Sequence, residues 1–475
     1  MSKTYKTYNP ASGAFLKERC FVDLETIQNS LDVLQNGFNE WKKLSFKDRQ
    51  EKLKAVNDIL KTKREEIAKS ITEEMGKPYY HSLAEVDKSL KAIDYMCEHD
   101  YVDLEPKKTH ALEQSENTTY EVVLKPKGII LGIMPWNFPL WQSIRMIYPT
   151  ILMGNTVLLK QSEITPTTGE ILDEVFKKCG LSSIFRHHIF HHENTEAIIA
   201  DPRVKGVSLT GSVRAGRTLS SLAGKYMKKG VFELGGSDPY LVLEDADIEK
   251  SAQVIAKTRL INTGQTCIAA KRAFVPKEKA NFFYESLVKQ LEKMSYGNLY
   301  ERSTQLGSLA HVKFREDDLV RYEALKKYSN VIYEKYVSES FLNTLTVNSE
   351  MQAYAPVRVL KIKNNKDSEM LDLMKENEFF SPTLIVFEYD NIEEALALVN
   401  GTDFGLGGAV FSQDLEKARH IALQIDSGMV GINEAVKSDV MLPFGGVKSS
   451  GQGREMGLLG FYEFCDSQVV ATHKF

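Results

Sequence analysis

Short apolar runs set the rhythm of the middle of the chain. They occur at residues 129–133, 157–159, 184–190, 206–209 and 231–232, separated by stretches with helical spacing. That alternation predicts βαβ units and a parallel sheet. Ligands of such sheets bind beyond the carboxyl ends of the strands. Lys160, Glu163, Thr210, Gly211, Ser212 and Glu233 all fall at such ends. Ahead of this region, residues 1–21 are polar, with a turn at Asn9 and Pro10. Amphipathic spacing then predicts one long helix over 45–75, stopped by Gly76 with Pro78 beyond, and another over 82–99. A solvated helix face accounts for their dense Lys/Glu patterning. Residues 118–126 alternate and predict an exposed strand, whose edge needs a partner. After a strand at about 239–246, the pattern predicts a helix over 248–262 and an amphipathic one over 277–294. The tail alternates again through 469–472.

Length and composition narrow the class. At 475 residues the chain exceeds one ordinary core, so two or three domains are expected. Hydrophobic residues make up 43% and charged residues 26%, a soluble globular balance. The formal net charge of −4, without a dense basic cluster, argues against a nucleic-acid partner. The N-terminus lacks the apolar core of a signal peptide, and no apolar run is long enough to span a bilayer. The five cysteines (Cys20, Cys97, Cys179, Cys267, Cys465) are spread out and form no CxxC pair. That points to a reducing, cytoplasmic setting without disulfides or a zinc site.

Three stretches offer chemistry. Cys267 follows Asn262, Thr263, Gly264, Gln265 and Thr266 on a turn between a helix and a strand, among small uncharged neighbours. Gly264 permits unusual backbone angles, and Lys271 and Arg272 favour a thiolate. The alternative is a buried cysteine acting as a small hydrophobe. Glu233 ends an apolar run before Gly235 and Gly236, where burial would tune it as a general base; otherwise it is a strand-end surface acid. Asn137 lies between aromatics and two prolines, a rigid setting for an amide aimed at an oxyanion, or for an ordinary turn. No GxGxxG follows any strand, so a dinucleotide is weakly supported by motif alone. Gly211 and Ser212 open a predicted helix that could hold a pyrophosphate, or Ser212 is simply an N-cap. His187, His188, His191 and His192 form one cluster. In a strand His187 and His191 would share a face, but a strand and loop flanking the cofactor domain is favoured over a metal site.

Together these residues resemble a known family. Pro-Trp-Asn-Phe-Pro at 135–139, Glu-Leu-Gly-Gly at 233–236, Asn-Thr-Gly-Gln-Thr-Cys at 262–267 and Pro-Phe-Gly-Gly-Val-Lys-Ser-Ser-Gly at 443–451 occur in the order of the aldehyde dehydrogenase superfamily. The resemblance spans nearly the whole chain. Residues 210–216 and 233–239 are most similar to the succinate-semialdehyde dehydrogenase branch.

The resemblance implies an α/β fold with a Rossmann-type cofactor domain (1–117 and 129–234), an α/β catalytic domain (235–442) and a small β oligomerisation arm (118–128 and 443–475). It implies a homodimer or homotetramer. NAD is the expected cofactor, with NADP as the alternative, and no metal. Gly211 and Ser212 would lie near the pyrophosphate, Lys160 and Glu163 at the adenosine ribose, and Trp136 beside the nicotinamide half. Leu234 and Gly235 join that set, and Glu378 and Phe380 would contact the nicotinamide ribose and ring. A carboxylate at Glu163 accepts from a 2′-hydroxyl and repels a 2′-phosphate, which tilts the expectation to NAD. Cys267 would attack a small aldehyde. Asn137 and the Cys267 N–H would hold the oxyanion, and Glu233 would activate the water that hydrolyses the thioester. Arg145, nine residues after Trp136, and Ser438 would bind a substrate carboxylate, pointing to succinic semialdehyde.

The chain also departs from the pattern. Ile261 stands where some relatives carry a second arginine, Leu209 where a phenylalanine is usual, and Ser381 where a glycine is usual. Residues 303–381 match loosely, and Lys448 is assigned no catalytic role. Two rival classes remain: a cysteine hydrolase without redox chemistry, and a catalytically silent binding or structural relative.

Overall fold

A computed structural model describes residues 3–101, 104, 107–109, 117–345 and 347–475. Two sheets dominate it. One has six strands in the order Gly451–Gln452, Lys229–Glu233, Val204–Thr210, Ile129–Met134, Thr156–Gln161, Phe185–His187. All neighbours are parallel except the short Gly451–Gln452 edge. The other has seven, in the order Ser329–Lys335, Val357–Ile362, Thr383–Tyr389, Arg272–Pro276, Pro239–Val242, Ala409–Phe411, Gly431–Ile432. Its only antiparallel pair is Ser329–Lys335 with Val357–Ile362.

Both parallel sheets are covered on each face, which is why their strands read as continuous apolar runs. In the six-stranded sheet Leu159 packs with Ile93, Tyr148 and Phe176 on one side, while Leu131 and Leu158 pack with Leu31, Phe190 and Leu219 on the other. In the seven-stranded sheet Tyr240 and Val242 meet Phe283 and Leu287, while Leu241 meets Phe274 and Phe387 on the opposite face. Each such fully buried side chain contributes about 1.5–3 kcal/mol.

A third sheet joins distant parts of the chain. Thr118–Pro126 pairs antiparallel with Cys465–His473 along its whole length, from Pro126 opposite Cys465 to Thr118 opposite His473, and also takes Lys107–Thr109. The rest of the tail serves other sheets: Val447–Lys448 pairs with Phe404–Gly405, and Gly451–Gln452 borders the six-stranded sheet.

Several elements differ from the sequence reading. The predicted helix over 45–75 is two helices, Phe46–Thr62 and Arg64–Met75, broken at Lys63 (φ −97, ψ 10). Ser45 caps the first with a capping box, and Gly76 ends the second in the left-handed region (φ 74). The break keeps Lys63 between Glu66 and Glu174 and sets Arg64 on Asp87. The predicted 184–190 strand is only Phe185–His187. The chain then turns away, with His188 meeting Ser30 at 2.7 Å and Phe190 bridging to Val22. Among the described residues no helix is long and apolar enough to cross a membrane.

Candidate active site

The two large sheets meet end to start. Residues 135–137, 210–214 and 234–235 follow the carboxyl ends of three strands in the six-stranded sheet. Cys267 and residues 378–381 precede the amino ends of two strands in the seven-stranded one. Between them lies a cavity of about 450 Å³. Its walls bring together Trp136, Asn137, Gly211, Ser212, Leu234, Gly235, Cys267, Glu378 and Phe380, nine of the fourteen residues singled out from sequence.

The cysteine loop is held from several directions. The helix Ile248–Leu260 ends in a short 3-10 turn, Ile261–Gly264, in which Asn262 (φ 53) and Thr263 (φ 55) adopt left-handed angles. Such angles cost free energy in non-glycine residues and persist only where surroundings enforce them. The enforcement is visible. Arg259, fully buried, donates to the carbonyls of Gly264 and Ala270. Gln265 donates to Asn262 and Ser308, and accepts from the Ala310 N–H at 2.8 Å. Gly264 (φ 82) lies so close to Ser381 that a Cβ would sit 2.3 Å from its carbonyl oxygen.

Asn137 is fixed by the same loop. Its Nδ2 donates to the Gln265 carbonyl at 3.0 Å, and its own carbonyl accepts from Asn262 Nδ2 at 2.9 Å and Lys77 Nζ at 2.8 Å. Lys77 also pairs with Glu85, whose Oε1 accepts from the Leu140 and Trp141 N–H groups at the start of the helix Pro139–Leu152. Sequence gave no reason to single out Lys77, Glu85 or Arg259. Glu85 and Arg259 sit in ordinary charged helix patterns and Lys77 in the short link between two helices, and only tertiary packing brings them to the loop.

Of Lys271 and Arg272, only Lys271 acts on Cys267 in the expected direction. Arg272 donates to the carbonyls of Ser237, Leu398 and Val399. Lys271 Nζ reaches the Thr266 carbonyl (2.9 Å), the Cys267 carbonyl and Glu378 Oε1 (2.8 Å). Lys271 and Arg145 pull the thiol pKa down, but burial outweighs both and pushes it up to about 12. Burial thus favours the thiol over the expected thiolate.

Glu233 and the expected substrate clamp form a buried polar cluster beside the cavity rather than in its wall. Both Glu233 carboxyl oxygens are buried without a hydrogen bond, and a Cβ on Gly445 would lie 2.7 Å from one of them. Burial and the neighbouring Glu455 carboxyl drive Glu233 well above the usual carboxyl range, while Arg145 and Arg454 oppose them. Arg145 is 2% exposed, pairs with Glu455, lies 4.3 Å from the Phe444 ring and donates to Ser438 Oγ at 3.4 Å. Ser438 Oγ also accepts from Trp141 Nε1 at 3.1 Å. The expected clamp thus has its guanidinium already engaged by Glu455, a residue that sequence reasoning missed.

Lys160 and Glu163 stand at the end of the Thr156–Gln161 strand, paired at 2.7 Å, outside the cavity wall. Of the histidine cluster, His187 is buried and neutral, with burial lowering its pKa to about 3. His191, His192 and Glu193 lie together near the surface, where Lys3 pairs with Glu193.

The cavity suits a dinucleotide. Ser212 caps the helix Val213–Lys225 (Oγ accepting from the Ala215 N–H at 3.3 Å), so the positive end of that helix opens on the cavity beside Gly211. The Thr210 hydroxyl is buried there without a partner. A Cβ on Gly235 would come within 2.4 Å of Glu378, so glycine keeps this wall clear. Trp136, stacked on Phe314 and edge-on to Phe380, gives a flat aromatic surface.

Comparison with known proteins agrees with this geometry. The model of the aldehyde dehydrogenase family matches residues 1–470. The chain belongs to the aldehyde dehydrogenase family. It is an NAD(P)-dependent aldehyde dehydrogenase. A succinate-semialdehyde dehydrogenase of Deinococcus radiodurans, named for NADP(+), is 34% identical over 98% of this chain and 94% of its own. An Escherichia coli succinate semialdehyde dehydrogenase, named for NAD(P)+, is 35% identical over 97% of this chain and 96% of its own. The crystal structure of a Streptococcus pyogenes succinic semialdehyde dehydrogenase in complex with NADP+ superposes with a TM-score of 0.90 at 28% identity, covering 99% of this chain and 100% of that one.

Proposed function

We propose that this aldehyde dehydrogenase oxidises succinic semialdehyde to succinate, with Cys267 as nucleophile, Asn137 as oxyanion donor and Glu233 as general base. The observation that carries the reading is the meeting, in the cavity between the sheets, of Cys267 on its tightly held loop and Asn137 on the facing loop, joined through the Gln265 carbonyl. The substrate is supported by the relatives named for it. When bound, a nicotinamide dinucleotide supplies the hydride acceptor. Ser212, Gly211 and the helix N-terminus would hold its pyrophosphate, with Trp136, Glu378 and Phe380 at its other end.

The chain's own residues do the rest. Cys267 Sγ bonds to the aldehyde carbon as its proton leaves to a base. Asn137 Nδ2, fixed by Gln265, and the Cys267 N–H stabilise the oxygen's negative charge. Glu233, held above the ordinary carboxyl range, accepts the proton of the water that then displaces Sγ from the acyl carbon. We favour NAD, because Lys160 is committed to Glu163 and that carboxylate would face a 2′-phosphate. The assembly follows from the Thr118–Pro126 and Cys465–His473 sheet, proposed as the arm of a homodimer or homotetramer, in a cytoplasmic setting.

Glu233→Gln tests the roles. With base catalysis removed, turnover should fall by roughly 10²–10⁴-fold, and acid-quenched enzyme should carry a succinyl adduct on Cys267 by mass spectrometry. Full turnover in this variant, or an adduct elsewhere, would refute the assignment. The hydrolase alternative needs a histidine beside the sulfur, and none lines the cavity among the described residues.

A further inference from the structure

A second cavity, about 510 Å³, lies between the helix Tyr79–Glu98 and the loop at 438–440. Lys88, Lys91, Asp87, Trp141 and Asp439 line it. Trp141 is the wall it shares with the buried cluster, because Trp141 and Arg145 donate to the same Ser438 hydroxyl. Trp141 lines this cavity and Gln142, the next residue of the helix Pro139–Leu152, lines the first, so the two cavities border one another along that helix.

The charges in the cavity are unequally committed. Asp87 is held by a two-pronged contact with Arg64 (Nη2 to Oδ2 at 2.7 Å). Asp439 Oδ1 accepts from the Met441 N–H at 2.9 Å. Lys88 makes no ion pair or hydrogen bond with a described residue; its ammonium rests over the Trp141 ring at 4.0 Å. Lys91 follows one helical turn later on the same face. Arg145, the expected clamp, is paired with Glu455. An entering carboxylate therefore meets an unpaired ammonium at Lys88, whereas Arg145 is buried with its charge already balanced by Glu455.

We propose that Lys88 binds the carboxylate of the substrate in this cavity, and so selects aldehydes that carry a carboxylate at the end remote from the reacting carbon. The ammonium over an indole ring is desolvated on one side, which strengthens its pairing with an anion. Trp141 packs beside the methylene chain that joins the two ends of the substrate. The proposal rests on the carboxylate-bearing substrate above and adds the residue that recognises it.

The test compares wild type with Lys88→Met and Lys88→Arg. Lys88 is exposed at the cavity mouth, so neither change disturbs a core. Removing one partly exposed charge-assisted contact should raise KM for succinic semialdehyde about tenfold more than KM for butanal, with Lys88→Arg retaining most of the preference. Titration calorimetry with succinate, which needs no turnover, should show binding to wild type weakened by about the same factor in Lys88→Met. Equal succinate affinity in wild type and Lys88→Met would overturn the proposal. A wild type that binds succinate through Lys88 but does not oxidise succinic semialdehyde would instead sink the substrate reading.

Discussion

At the scale of single residues, the proposed chemistry depends on what burial does to Cys267 and Glu233. Both were legible as candidates through the ordered motifs that resemble the family, since by position alone Cys267 also reads as a buried small hydrophobe and Glu233 as a strand-end acid. Their protonation was not legible. Lys271 and Arg272 beside the cysteine suggested a thiolate, yet Arg272 is spent on three backbone carbonyls and Lys271 is shared with Glu378. Burial, which a linear sequence does not display, settles the outcome in favour of the thiol. The folded pKa stands above the ordinary value, so the thiolate fraction grows with pH throughout the accessible range. Alkylation of Cys267 by iodoacetamide in the cofactor-free enzyme should thus rise about tenfold per pH unit from 7 to 9. A plateau below pH 8 would show the thiolate to be already formed.

At the scale of elements, regular patterns read true and their interruptions did not. The alternation over 118–126 corresponds to the strand Thr118–Pro126, and Gly76 ends its helix as expected. The break at Lys63 has no glycine or proline to announce it and follows from ion pairs with other helices. The start of the helix Pro139–Leu152 shows how such distant contacts serve the site. Glu85 holds two of its N–H groups, and its partner Lys77 holds the Asn137 carbonyl. Both side chains of this pair are about 1% exposed. Glu85→Gln keeps an acceptor for the N–H groups but leaves the Lys77 charge without its counterpart. The expected loss is about 3–5 kcal/mol of unfolding free energy by denaturant titration, together with lower turnover as Asn137 loses its support. A loss under 1 kcal/mol would show that the pair is not needed.

At the scale of the whole molecule, the candidate active site is a junction between the carboxyl edge of one sheet and the amino edge of another. The first half of that geometry follows from the βαβ rhythm; the second required the resemblance, because nothing in residues 262–272 says which sheet they border. The small sheet joining residues 118–126 to 465–473 leaves Val469 64% exposed on a strand with a free edge. Ending the chain before Cys465 should reduce the mass seen by light scattering from that of a dimer or tetramer to that of a monomer. An unchanged mass would place the interface elsewhere. The most direct test of the account as a whole is the initial rate of cofactor reduction with succinic semialdehyde, run with NAD and NADP in parallel and with Cys267→Ala as control. The account predicts reduction of NAD faster than NADP, abolished in the variant. Reduction that survives Cys267→Ala, or none with either cofactor in the wild type, would contradict it.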